Sequence, residues 1–142
     1  MTIDKQSNSA IAFRLDPTSG VPPYQQIVRQ VEDALRLGYL APGDQLPKVK
    51  DVVGTLAINP NTVLKAYREL ELKGLAAGRP GQGTFVEGSL HVVPLRNLDA
   101  LRRRLIRWLA EADASGLDDE GITALISTAR HEMRSSKRMT AS

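Results

Sequence analysis

The stretch that most constrains the fold is INPNTVLKAYRELELKG, residues Ile58 to Gly74. It predicts one short helix with both ends marked. Asn59 suits the N-cap, because its side-chain oxygen can accept from an orphan amide of the first turn. Pro60 suits the first helical position, where no amide hydrogen is needed. Val63, Ala66, Tyr67 and Leu70 recur at i, i+3, i+4 and i+7, the spacing of a buried stripe. Gly74 supplies the stop. The leading end of this helix is all amides and a hydroxyl, and Lys65 and Arg68 fall opposite the stripe.

The flanking segments supply its neighbours. Ile11, Phe13 and Leu15 alternate with polar residues in IAFRLD, a short strand pattern that PTSG breaks. From Pro23 onward, Ile27, Val28, Val31 and Leu35 follow helical spacing, with Gly38 near the stop. LAPGDQLP reads as a turn around Pro42, Gly43 and Asp44. Val49, Val52, Val53 and Leu56 mark a second short helix, weakened by Gly54 in its body. LAIN joins it to the third, with Ala57 where glycine is often preferred. LAAGR, PGQG and TFVEG then read as two short strands around a glycine-rich turn. Three helices followed by a hairpin are the outline of a winged helix-turn-helix.

After Gly88 the composition shifts. SLHVVPLRN is a linker, and Leu98, Leu101, Leu105, Ile106 and Leu109 mark an amphipathic helix carrying Arg102, Arg103, Arg104 and Arg107. ASG breaks it, and Asp118 caps a second helix with the stripe Ile122, Leu125, Ile126, Ala129 and Met133. Met1 to Ala10 read as a frayed end and Ser135 to Ser142 as a disordered one. The expected fold is mainly α with a small β-wing. A winged helix-turn-helix over residues 11–88 is followed by a two-helix dimerisation tail over residues 95–134. A single helical hairpin cannot cover both sides of two apolar stripes. Leu98, Leu101, Leu105, Leu109, Ile122, Leu125, Ile126 and Met133 must then pack on the winged domain or on a second copy. Pairing between two copies is favoured, because the Ser89–Pro94 linker separates the tail from the domain. Trp108 lies beside the stripe, in core or interface, and is assigned to the interface.

Function follows from the third helix. A helix entering a major groove contacts DNA mainly with its N-terminal residues. Asn59 and Asn61 can pair with adenine edges or bond phosphates, and Thr62 can bond a phosphate or touch a thymine methyl. An ordinary capped helix with a solvated face would look the same in isolation. The hairpin separates the two readings. Gly81 and Gly83 let backbone approach a phosphate or a minor groove, with Arg79, Gln82 and Thr84 beside them. A plain hairpin turn is the alternative; a nucleotide-binding glycine loop is disfavoured because no helix follows. Lys48, Lys50, Lys65, Arg68, Lys73 and Arg79 against Asp51, Glu69, Glu71 and Glu87 leave residues 48–88 with an excess of +2 out of the chain's net +3.

PPYQQIVRQVEDALRLGYLAPGDQLP, NPNTVLKAYRELELKGL and GQGTFV together resemble the N-terminal domain of the GntR family of bacterial transcription regulators. The short tail is similar to the YtrA-type subfamily, whose tails pair to form dimers. The resemblance implies DNA contacts from Lys50, Asn59, Asn61, Thr62 and a wing contact at Gly81. Many members carry Ser and a downstream Arg where this chain has Lys48 and Lys50, which removes a cap and a guanine-reading fork. Many also have Arg at the place of Leu64, leaving Lys65 as the nearest cation. The operator preference of better-known members therefore does not transfer. The implied activity is sequence-specific repression by a homodimer on double-stranded operator DNA.

The remaining features point elsewhere weakly. The histidines His91 and His131 lack converging partners and read as surface residues. Asp118, Asp119 and Glu120 sit at a helix start, where capping outweighs metal binding. The arginine run reads as a solvated face ahead of a phosphate contact. No nucleophile–base pair, metal site or cofactor motif is visible, and the absence of cysteine excludes disulfides and thiolate chemistry. MTIDKQSNSA lacks a signal-peptide pattern and no apolar run reaches membrane-spanning length, so a cytoplasmic protein is expected. No effector is named by any residue. A helical protein-interaction module without sequence-specific DNA binding is the alternative function.

Overall fold

The computed structural model describes residues 11–90 and 97–141. The expectations for Met1–Ala10, for linker residues 91–96 with His91, and for Ser142 lie outside the described residues. The elements run α1 (Pro23–Arg36), α2 (Val49–Leu56), α3 (Pro60–Leu72), β1 (Ala76–Arg79), β2 (Gly83–Val86), α4 (Leu98–Ala114) and α5 (Asp119–Ala141). Residues up to Leu90 belong to one compact unit and those from Asn97 to another.

Helix α3 is the hub of the first unit, packing on α1, α2 and β1. Its stripe of Val63, Ala66, Tyr67 and Leu70 is buried against Ile27, Val31 and Leu35 of α1, with Leu46 and Val86 closing the core. Both caps form as the sequence requires. The Asn61 amide donates to Asn59 Oδ1 at 2.8 Å. At the other end Leu75 N–H reaches Leu70 O at 2.9 Å and Gly74 N–H reaches Glu71 O at 3.0 Å, with Gly74 at φ +75. That pair of bonds is a Schellman motif, which turns the chain directly into β1.

Between α2 and α3 the chain reverses at Ala57, which takes a left-handed conformation at φ 54. A residue with a Cβ pays about 1–2 kcal/mol for this geometry, which is why glycine is common at such joints. Lys48 stands at the N-cap of α2 and makes no side-chain cap, as expected for a residue without an acceptor.

Two expectations are corrected. Ile11–Asp16 is not a strand. The segment lies extended, with Phe13 buried, but its partner is a row of side chains and not a second strand. Gln30 accepts from Arg14 N–H at 3.0 Å and donates to Arg14 O at 2.7 Å. Gln26 does the same for Asp16, at 2.8 and 3.0 Å. The glutamine amides satisfy the backbone that a ladder would otherwise satisfy. Ser135–Ala141 is not disordered either, since α5 continues to Ala141. Between Gly121 and Ala141 there is no glycine or proline to stop it.

Tyr67 is 3 % exposed, and its hydroxyl donates to the carbonyl of Pro47 just ahead of α2. Burial raises the phenol's pKa, so the hydroxyl stays a donor across the neutral range. Tyr67→Phe keeps the packing and removes the donor. It should destabilise the protein by about 1–3 kcal/mol, the penalty for stranding a buried acceptor. An unchanged denaturation midpoint would show that Pro47 finds water instead.

The second unit is built differently. Helix α4 ends in another Schellman turn at Gly116, where Leu117 N–H reaches Ala112 O at 3.1 Å. Asp118 then caps α5, accepting from Gly121 N–H at 2.8 Å. Ala112 and Ile122, beside this corner, are the buried apolar residues of the unit among those described. Leu101 is 52 % exposed, Leu105 49 %, Leu125 44 % and Met133 64 %. The stripes exist, and the two helices do not cover them within one chain.

Candidate nucleic-acid interface

Three parts of the first unit carry the residues singled out by the sequence: the start of α3, the start of α2 and the wing. On α3 the division is complete. The stripe faces inward, while Asn61, Leu64, Lys65 and Arg68 are exposed and Thr62 is half-buried. Asn59 is exposed too, but its Oδ1 is engaged as the cap. Part of its acceptor capacity is therefore already used, whereas Asn61 keeps both its carbonyl and its amino group for a base edge. Arg68 forms no ion pair among the described residues.

Lys65 is held from the side. Its ammonium lies 4.1 Å from the centroid of the Tyr24 ring at the start of α1. This cation–π contact draws it toward the α1 edge of the helix without neutralising it. Tyr24 was not singled out by the sequence. Its position beside two prolines signals a helix start and says nothing about what its ring touches. Lys73, by contrast, leaves the set. It pairs with Glu32 at 2.8 Å and Glu69 at 3.8 Å, tying the end of α3 to α1. The hydrogen bond it donates to Glu32 raises its pKa and keeps it charged, as a brace between helices. Lys48 and Lys50 are exposed at the start of α2 and have no acidic partner among the described residues.

The wing pairs Ala76 with Val86 through to Arg79 with Gly83, antiparallel. Its tip is a type II turn. Gln82 N–H reaches Arg79 O at 2.9 Å, with Pro80 at the second position and Gly81 at φ +75 at the third. That third position requires positive φ, which Gly81 supplies without strain. Arg79 lies over the Phe85 ring at 4.1 Å, so its guanidinium is placed along the strand and remains exposed. Thr84 is half-buried, and its carbonyl accepts from Leu46 N–H at 2.9 Å.

Here the PGDQLP segment does more than turn. Gln45 pairs with Phe85 as a further rung beside β2. Its side chain crosses Gly83 and donates to Gln82 O at 3.0 Å. A Cβ on Gly83 would stand 2.7 Å from that amide nitrogen, so the glycine is what admits the clasp. The wing tip is thus anchored to the loop that leads into α2. A single glutamine carries no sequence signal for such a contact.

Exposed cations, the free Asn61 side chain at a helix start and a glycine wing clasped by Gln45 suit a polyanion whose edges can be hydrogen-bonded. Residues 23–86 match the family of bacterial regulatory proteins named gntR. The HTH-type transcriptional repressor YtrA of Bacillus subtilis is 29 % identical over 127 residues, covering 89 % of this chain and 98 % of that protein. The HTH-type transcriptional regulator YhcF of the same organism is 34 % identical over 105 residues, covering 74 % and 83 %. Among solved structures, YtrA from Sulfolobus acidocaldarius, a GntR-family transcription factor, superposes with a TM-score of 0.50 at 32 % identity, covering 69 % of this chain and 97 % of that one. These relatives are regulators and not enzymes. The chain belongs to the GntR family of transcription regulators, with a winged-helix DNA-binding domain, and is similar to the family's YtrA-type members.

Proposed function

We propose that this regulator is a repressor that binds an inverted-repeat operator as a homodimer. The recognition helix, residues 59–73, enters the major groove and the wing, residues 79–84, lies at the minor groove. The observation that carries the reading is the division of α3, whose inner stripe is buried while Asn61, Lys65 and Arg68 face out. Within that scheme Asn61 reads a base, Asn59 and Thr62 hold phosphates, and Lys48, Lys50, Lys65, Arg68 and Arg79 neutralise the backbone. Gly81, Gln82 and Thr84 bring wing backbone to the duplex.

Pairing is assigned to the tail, through Leu98, Leu101, Leu105, Trp108, Leu109, Ile122, Leu125, Ile126 and Met133. A two-fold pair sets two recognition helices on half-sites about one helical turn apart, or a multiple of it. Repression, as the sign of regulation, follows the Bacillus subtilis relative. Selection of bound sequences from random duplex DNA tests the whole scheme. The expected outcome is an inverted repeat. Enrichment of no motif would favour the helical interaction module, for which the exposed tail stripes also speak.

The cations make a separate prediction. Lys50 and Lys65 carry compact charges without a guanidinium fork, and so suit phosphates more than bases. Lys→Ala at either should weaken specific and non-specific DNA alike and lower the salt slope by about one unit. Titrations at several salt concentrations check this. A collapse of sequence discrimination at an unchanged slope would mean that the residue reads bases.

A further inference from the structure

We infer that Leu64 is a specificity residue, recognising a thymine in each half-site through its C5 methyl group. The inference rests on the placement of α3 in the major groove. Leu64 is 41 % exposed on the outward side of α3, with Asn61 three residues before it and Arg68 four residues after. Residues at that spacing are neighbours on a helix surface. The nearest cation in sequence, Lys65, is drawn off toward Tyr24, 4.1 Å from the ring centroid. The surface between Asn61 and Arg68 is therefore an aliphatic side chain, not a charge.

In the major groove thymine alone presents a methyl group on its edge, whereas cytosine has only hydrogen at that position, beside its amino donor. A leucine brought against cytosine strips water from that donor and offers nothing in return. Against thymine it removes two apolar surfaces from water together. Exposed leucines are common and by themselves mean little. Leu72 shows the difference. It is 85 % exposed on the same helix, but lies about 12 Å farther along the axis, beyond the N-terminal part that meets base edges. It serves as the internal control.

The test uses the full-length protein and the site obtained by selection. Each thymine of a half-site is replaced in turn by deoxyuridine, which lacks only the methyl group. One position should lose about three- to five-fold in affinity, the worth of one buried methyl-sized group. Leu64→Ala should still bind, more weakly, and should be indifferent to uracil at that position. Leu72→Ala should keep the full sensitivity. The inference is overturned if no thymine of a bound site is uracil-sensitive. It is equally overturned if Leu64→Ala keeps the wild-type sensitivity. Failure to bind any DNA would sink the groove placement itself, and this inference with it.

Discussion

A chain ending at Leu90 should fold, sediment as a monomer and bind the operator far more weakly than the full-length protein. The first unit has its own core, centred on Ile27, Leu35, Val63 and Leu70. The cut belongs after Leu90 and not after Gly88, because Leu90 packs against that core. What the truncation removes is a pair of helices whose leucines are about half exposed, Leu101 at 52 % and Leu105 at 49 %. Burying such stripes between two copies gains about 25 cal/mol for each Å² of apolar surface. Losing the pairing removes the second half-site contact, and linked sites exceed single ones by about 10²–10⁴ in affinity. Sedimentation and DNA titration check the two halves independently. A truncated protein that remains dimeric, or that binds as tightly as the full chain, would remove the tail from the pairing role.

The second large effect is expected at Asn61. Replacing it by alanine should cost about 1–3 kcal/mol in binding to the preferred site, the worth of a bidentate base contact. Folding stability should hardly change. The Asn61 side chain is exposed, and its contribution to the cap is a backbone amide that alanine also has. Asn59→Ala should differ by affecting folding as well. It removes the capping oxygen and should lower stability by about 1 kcal/mol. Two asparagines two residues apart are thereby separated by thermal melts and DNA titrations of the same pair of variants. Wild-type affinity in Asn61→Ala would take that residue out of the interface.

That contrast was partly legible in the sequence. An asparagine before a proline and a periodic stripe is a cap signal, and Asn59 is the cap. That its oxygen is already engaged by the Asn61 amide is a matter of geometry. The tail shows the same limit. Its apolar spacing was plain, as were the stop at Gly116 and the cap at Asp118. The polar end after Met133 looked unstructured because it has no apolar periodicity. Helix α5 nevertheless extends through it, held by its own backbone bonds.

Neighbouring residues suffice to specify the helices of the first unit, the caps of α3 and the wing. Each depends on groups a few residues apart: Asn59 with Asn61, Gly74 with Glu71, Gln82 with Arg79 across Pro80 and Gly81. Long-range packing sets what the same residue types do across the fold. It made Ile11–Asp16 a segment clasped by Gln26 and Gln30, and no strand. It set Gln45 on the wing tip across 37 residues, turned Lys73 toward Glu32 across 41, and laid Lys65 on Tyr24. Periodicity and capping are local and leave a local trace. A hydrogen bond or ion pair between distant segments leaves none, because its partners become neighbours only when α1, α2, α3 and the wing close on a common core.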